Sequence, residues 1–226
     1  MLALVRAIVR DDTSEVARLL GTSPLLAQRS LAVGATRAGA TDFFFEEIGH
    51  YLYAGDTALH VAAAAYRREI ARELLKRGAK VAAVNRRGAA PLHYAADGGP
   101  VVRSWNPVAQ AEMITLLIKA GADPNALDKS GVAPLHRAVR QRCPLAVDAL
   151  LRNGAAIRLK NKSGSAPLHL AVQSTGRGGS GSPEAKALQR EIIELLLKAG
   201  ADPKERDARG KTAMERAQGK WVRAPF

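Results

Sequence analysis

A short phrase, written four times, constrains this chain more than any other feature. It reads Thr57-Ala58-Leu59-His60, Ala90-Pro91-Leu92-His93, Ala133-Pro134-Leu135-His136 and Ala166-Pro167-Leu168-His169, with a worn fifth copy at Thr212-Ala213-Met214-Glu215. The leucines, and Met214 in the worn copy, stand 33, 43, 33 and 46 residues apart, so two steps share a period and two carry inserts of 10 and 13 residues. Self-similarity at this period indicates stacked supersecondary units, each too small to bury its own apolar face, rather than one globular core. Such arrays offer an extended binding face more often than a catalytic pocket.

The stretch from Asn85 to Leu127 shows one unit. Asn85-Arg86-Arg87-Gly88 is a turn signal. Pro91 stands where a helix can begin, because its missing N–H would be unpaired there anyway. Leu92, Ala95 and Ala96 form a short apolar face, and Met113, Leu116, Leu117 and Ile118 form a second helical stripe. Gly121 ends that stripe as a C′ glycine. The other units place second helices over Ile70–Arg77, Ala146–Asn153 and Ile192–Ala199, ending at Gly78, Gly154 and Gly200. Each carries an apolar pair before its glycine and a cation in its last turn, where the helix dipole stabilises positive charge by roughly 0.3–1 kcal/mol.

This pattern resembles the ankyrin repeat. The matching text is Gly-x-Thr-Pro-Leu-His-x-Ala, a Leu-Leu helix and Gly-Ala-Asp, best seen where Lys119-Ala-Gly121-Ala-Asp123-Pro-Asn125 runs into Asp128-Lys-Ser-Gly131-Val-Ala-Pro134-Leu-His136. The resemblance implies an all-α solenoid of antiparallel helix pairs joined by β-hairpin loops, and a protein that binds other proteins without catalysis. The expected organisation is N-terminal capping helices and a connecting segment over 1–54, four repeats, two with inserts, over 55–206, and a capping repeat with a tail over 207–226. The family's Thr and Pro never occur together here. The middle copies carry Ala90, Ala133 and Ala166 in place of threonine. Losing a threonine N-cap typically costs about 1 kcal/mol, and the family's Thr–His contacts have no hydroxyl there.

At the N-terminus, Leu2–Arg10 and Ser14–Leu20 read as a capping helix pair, with Ser14 as N-cap and Ala3, Ala7, Ile8, Val16, Leu19 and Leu20 buried. Phe43-Phe44-Phe45-Glu46-Glu47-Ile48 reads as a short helix covering the first full repeat, or as an exposed aromatic patch; large exposed apolar patches are uncommon, which favours the first. The first insert, about Gly98–Gln110, holds Trp105 and two prolines. The second, over 174–189, opens with Ser174-Thr-Gly-Arg-Gly-Gly-Ser-Gly-Ser-Pro183, a flexible composition. It lacks the Lys-Ser/Thr ending of a phosphate loop, and no strand precedes it.

No catalytic arrangement emerges. Four histidines share one repeat position, and neighbouring units lie roughly 10 Å apart, too far to converge on a metal whose ligands sit at about 2 Å. The resemblance assigns those rings to structural bonds at the hairpins and between units. Glu47 and His50 have a carboxylate–histidine spacing found in metal sites, without a second pair. Cys143, the one cysteine, lies near Arg140 and Arg142, whose charge lowers a thiol pKa when close; the plainer reading is a filler thiol at a helix start. Asn161-Lys162-Ser163 matches a glycosylation sequon in a chain without an export signal. We expect no enzyme activity, no cofactor and no metal.

The formal charge is +13, with 34 basic against 21 acidic residues. An excess of this size favours an acidic partner, although abundant Arg and Ala are also what a compositional bias produces. The resemblance assigns partner-facing positions to the hairpin tips and the exposed part of each first helix. These hold seven cations, Arg86, Arg87, Lys129, Arg140, Lys162, Arg209 and Lys211, against Asp56 and Asp97, with Gln141 adding hydrogen bonding. The expected partner is therefore an acidic protein surface. Nucleic acid is the alternative, weakened by only 4% aromatic residues for base stacking, and a regulatory role on a partner enzyme stays open. One cysteine, early charge at Arg6 and short uncharged stretches point to a cytoplasmic protein without membrane insertion, expected to be a monomer.

Overall fold

The computed structural model describes residues 1–36, 39–100, 105–173 and 181–217, and these contain eleven α-helices and one short hairpin. Five helix pairs succeed one another: α1 (Leu2–Val9) with α2 (Thr13–Thr22), α3 (Ala58–Ala64) with α4 (Arg68–Lys76), α5 (Pro91–Ala95) with α6 (Pro107–Lys119), α7 (Pro134–Gln141) with α8 (Pro144–Arg152), and α9 (Pro167–Ala171) with α10 (Pro183–Lys198). The single-turn α11 (Ala213–Arg216) closes the series. The odd-numbered helices pack on one another in chain order, and so do α4, α6, α8 and α10, giving two stacked rows.

Side-chain size explains the rows. Every residue of α3, α5 and α9 is buried, and alanines such as Ala58, Ala62 and Ala63 let neighbouring backbones approach. Leu59, Leu92, Leu135 and Leu168 occupy equivalent places and are at most 2% exposed. The second-row helices bury one stripe: Ile70, Ala71 and Leu74 in α4, Met113, Ile114 and Leu117 in α6, Ile192, Ile193 and Leu196 in α10. The linkers inside the three pairs without inserts turn on Asp11, Tyr66 and Arg142, all at positive φ. Such a conformation in a non-glycine residue costs roughly 1–2 kcal/mol, so packing of the pair must hold it.

The ends depart from expectation. Asp12, not Ser14, caps α2, its carboxylate accepting from the Glu15 amide at 2.9 Å; the helix starts at Thr13 and leaves Ser14 inside its first turn. Ala3 is exposed, while Leu4, Val5, Ala7, Ile8 and Val9 are buried, because α1 packs on both α2 and α3 and its buried sector turns accordingly. Phe43–Ile48 is not a helix. β1 (Phe44–Phe45) pairs antiparallel with β2 (His50–Tyr51), in the register Phe44 to Tyr51 and Phe45 to His50. Aromatic side chains suit a pleated pair. The segment does cover the array, burying Ile48 and Leu52, yet it leaves Phe44 and Tyr51 exposed.

Both inserts lead into lengthened second helices. Residues 101–104 and 174–180, which include the glycine-rich stretch read as flexible, lie outside the described residues. Helix begins inside each stretch read as an insert, at Pro107 within 98–110 and at Pro183 within 174–189. A buried glutamine fastens each helix: Gln110 donates to the carbonyls of Ala95 and Gly98 at 2.9 and 3.1 Å, and Gln189 to those of Ala171 and Gln173 at 2.5 and 3.1 Å. Cys143 is buried at the start of α8, and burial pushes its thiol up to about 11 rather than down. It fills space.

The repeated histidine joins consecutive units. Nδ1 of His60, His93 and His136 accepts from the backbone N–H of Thr57, Ala90 and Ala133, each at 3.1 Å. An accepting Nδ1 carries no proton, so Nε2 carries it and donates onward. It does so to the carbonyls of Ala89, Val132 and Ser165, in the next hairpin, at 3.0, 3.0 and 3.2 Å. Thr57 adds its hydroxyl, 2.9 Å from His60 Nδ1, a contact the alanine copies lack. At His169 the pattern loosens: Nε2 reaches Glu205 and Lys211 carbonyls at 3.0 and 3.2 Å, and Nδ1 has no partner among the described residues.

This packing can be tested at a leucine and at the histidines. Leu150, fully buried on α8 against the neighbouring helices, should cost roughly 2–5 kcal/mol when replaced by alanine, read as a shift of the urea midpoint. Burial holds His60, His93 and His136 below the ordinary 6.5, His93 at about 4. Below pH 6.5 the unfolded chain therefore binds protons that the native chain does not. Stability should be full above about pH 6.5 and fall as pH drops toward 4, by up to about 1.4 kcal/mol per pH unit for each ring. Urea midpoints at about pH 7.5, 6 and 5 check this, and a flat profile contradicts it.

Candidate functional site

The hairpin tips are closed by one residue type that lies outside the repeated phrase. Seven positions before Leu92, Leu135, Leu168 and Met214 stand Asn85, Asp128, Asn161 and Asp207. In each, the side-chain Oδ1 accepts from two backbone amides, two and four residues on, at 2.7–3.1 Å. Side-chain closure of this kind is the ordinary work of Asn and Asp in turns. Adjacent tips are then bonded to each other: the amides of Arg86, Lys129 and Lys162 donate to the carbonyls of Ala54, Arg87 and Ser130 at 2.8, 2.9 and 3.3 Å. Gly88 and Gly131 sit at φ +76° and +70°, and a Cβ on either would come 2.9 Å from the next tip's backbone nitrogen. Glycine is required there by the close approach as well as by the backbone angle.

This scaffold sets out the basic residues singled out from the sequence. Arg86, Arg87, Lys129, Lys162, Arg209 and Lys211 lie at or beside the tips, and Arg140 is exposed near the end of α7. Among the described residues none of the seven forms an ion pair. Several cations elsewhere are matched: Arg68 with Glu112 at 2.6 Å, Arg77 with Glu73 at 2.6 Å and Arg152 with Asp148 at 2.9 Å on the second-row helices, and Lys160 with Glu205 at 3.1 Å. Arg86 and Arg87 instead flank the Tyr53 ring, 5.4 and 4.9 Å from its centroid, and Arg87 donates to the Tyr53 hydroxyl at 2.9 Å. Arg86 also donates to the Ala35 carbonyl.

The two acids expected on this face are elsewhere. Asp56 is fully buried, accepting from the Tyr94 hydroxyl at 2.7 Å, the Asn85 side-chain amide at 2.8 Å and the Tyr53 N–H at 2.6 Å. It is a structural anchor for the segment that folds back over the first units. Asp97 lies in a cleft of about 350 Å³, walled by His50 and Tyr51 of the hairpin, Tyr94 of α5, Arg87 and Ser130 of the tips, and Arg137, Arg140 and Gln141 of α7. Arg87, Arg140 and Gln141 thus meet at one cleft, whereas Lys129, Lys162, Arg209 and Lys211 do not line it.

Inside the cleft two carboxylates share one guanidinium. Arg137, a residue that no sequence motif singles out, donates to Asp97 at 2.7 Å and to Asp128 at 2.9 Å. Gln141 donates to Asp97 at 2.8 Å, and His50 Nε2 stands 3.6 Å from it, with the His50 ring 4.2 Å from that of Tyr94. Burial opposes ionisation of Asp97, but the nearby His50 ring, the Arg137 charge and the Gln141 hydrogen bond outweigh it and hold the carboxyl well below its usual range. The same balance of burial against bonded partners lowers Asp128. Only a register placing α5, α7 and the 44–51 hairpin together exposes this network, and no local spacing signals it. Among the described residues no group of three or more His, Cys, Asp or Glu is placed to hold a metal, and no helix is long and apolar enough to cross a membrane.

Removing the shared cation tests this arrangement. Arg137→Ala leaves Asp97 and Asp128 facing each other with that charge lost. It should cost about 3 kcal/mol, the low end for a broken buried pair because the cleft opens to solvent. Arg140→Ala, which breaks no ion pair, should stay within about 0.5 kcal/mol. Chemical denaturation of the two variants reads the difference.

A family model described as ankyrin repeats, in three copies, matches residues 30–104 and again 106–207. No curated protein matches the chain.

Proposed function

Because this chain belongs to the ankyrin-repeat family, whose repeats are protein–protein interaction modules, we propose that it binds an acidic protein surface along its hairpin tips and the exposed end of α7. Arg86, Arg87, Lys129, Arg140, Lys162, Arg209 and Lys211 supply charge-assisted hydrogen bonds to carboxylates, and Gln141 supplies a polar contact beside them. In this reading residues 1–54 cap the array, 55–206 carry the repeats, and 207–226 hold a capping repeat and a tail, of which 218–226 lie outside the described residues. No cofactor takes part.

One observation carries the reading. The seven cations lack carboxylate partners among the described residues, while Arg68, Arg72, Arg77 and Arg152 of the second-row helices are paired within the chain. Surface charge that a fold leaves unmatched, on tips held by a backbone ladder, is available to an opposite charge on another molecule. The burial of Asp56 strengthens it, because the face carries fewer negative groups than the sequence suggests.

The test uses a fluorescent peptide of ten glutamates and, in parallel, a single-stranded oligonucleotide. The intact chain should bind the peptide with an affinity that falls with salt. Reversing Lys129, Arg140, Lys162 and Arg209 to glutamate, and leaving Arg86 and Arg87 with their contacts to Ala35 and Tyr53, should abolish that binding while leaving the melting curve in place. Equal affinity of the reversed variant contradicts the proposal. Tight oligonucleotide binding at about 0.15 M salt, together with weak peptide binding, assigns the face to nucleic acid instead.

A further inference from the structure

The cleft beside the hairpin differs from the rest of the basic face in which of its polar groups remain uncommitted. Its two carboxylates and the Asn85 side-chain carbonyl are engaged. Asp97 takes Gln141 on one oxygen and Arg137 on the other, and Asp128 takes two backbone amides on one and Arg137 on the other. Asn85 Oδ1 takes the amides of Arg87 and Ala89. Its donors are largely open. Arg87 commits one N–H of its guanidinium to the Tyr53 oxygen and keeps the remainder of its five. Tyr53, accepting that bond, keeps its own O–H. Arg140 forms no ion pair among the described residues and reaches the same space. A cleft whose carboxylates are engaged and whose guanidinium donors are open favours a group that accepts, and two guanidinium groups select a negative one. Its volume of about 350 Å³ falls within the range of ligand-sized clefts, roughly 300–1,000 Å³.

The mouth of the cleft adds an apolar element. Tyr51 lines it and stacks on Phe44 with ring centroids 4.7 Å apart, the two residues being 39% and 38% exposed. Their hairpin is fixed from behind by buried Ile48 and Leu52 and by the contacts of His50 with Tyr94 and Asp97. Rigid, half-exposed aromatic residues beside an arginine are the residue types that anchor protein interfaces.

We propose that this cleft is the anchor point of the interaction face, taking the carboxylate of one acidic residue of a partner segment while an apolar residue one or two positions away lies on the Phe44–Tyr51 pair. The inference rests on the acid-binding reading and adds to it a location and a two-residue chemistry. The remaining tips, at Lys129, Lys162 and Arg209, then bind further acidic residues with little demand for sequence.

The experiment titrates the isotopically labelled full chain with the peptide Gly-Ser-Gly-Glu-Phe-Glu-Gly-Ser-Gly-Ser and follows backbone amides by NMR. Signals of Gly49, Tyr51, Ser130 and Gln141 should move together. Replacing both glutamates by glutamine, or the phenylalanine by serine, should weaken binding by about tenfold each, the scale of one charged hydrogen bond or one aromatic anchor. Arg140→Gln should weaken it by a similar factor, and Lys162→Gln should not. Tyr51→Ser should erase the preference for the phenylalanine peptide over its serine control. Movement confined to the tips at Lys129, Lys162 and Arg209 overturns the cleft and leaves the acid-binding face standing. No movement here, with no binding of the ten-glutamate peptide either, overturns both. A phosphoserine peptide that binds more than about tenfold better than its glutamate counterpart overturns the carboxylate assignment.

Discussion

At His60, His93 and His136 a neutral imidazole accepts through Nδ1 at the start of its own helix and donates through Nε2 to the carbonyl of the next hairpin. The ring is short, rigid and two-ended, so it fixes a distance as well as making two bonds. Because the acceptor belongs to the following unit, each helix start is positioned against the next hairpin. Close packing of the alanine- and leucine-rich first row is possible only if that spacing holds. The ladder between tips, from Ala54 through Arg87 to Ser130, depends on it too.

Much of this was legible because it repeats. Leucine, histidine and the terminal glycine recur at one period, and a 3.6-residue stripe separates the buried Leu74, Leu117, Leu150 and Leu196 from their half-exposed successors. The turn-closing Asn85, Asp128, Asn161 and Asp207 are equally regular and become visible once the leucines are aligned. The two-residue strands at Phe44 and His50 are too short to show a period of two, and a run of aromatic residues suits several structures. Asp12 and Ser14 are both good caps, and spacing does not choose between them. Asp56 and Asp97 looked like surface acids because their repeat positions are usually outward. The burial of Asp56 and the partial covering of Asp97 depend on the segment 31–54 returning across the first units, a contact between residues far apart in the chain, as when Leu31 and Ala35 bond to Asp56 and Leu52.

Charge obeys the same division between what is local and what is not. On the second-row helices, four arginines pair with acids three or four residues away or on the adjacent helix, as Arg77 does with Glu73 and Arg68 with Glu112. At the tips the neighbouring acids are occupied in closing the turns or in holding Arg137, so they do not neutralise Arg87, Lys129 or Lys162. An excess of positive charge that composition alone leaves ambiguous thus acquires a place. It stands on a rigid edge, with its counter-charges turned inward.

The protonation of the joining histidines tests the account most directly. Long-range proton–nitrogen correlation of the ring signals near neutral pH should show His60, His93 and His136 in one tautomer, with the proton on Nε2 and a bare Nδ1. The three rings should keep that form below the pH at which a free histidine acquires its second proton. Rings that carry the proton on Nδ1, or that become charged at the ordinary histidine pH, would contradict the bridge on which the rest of the structure depends.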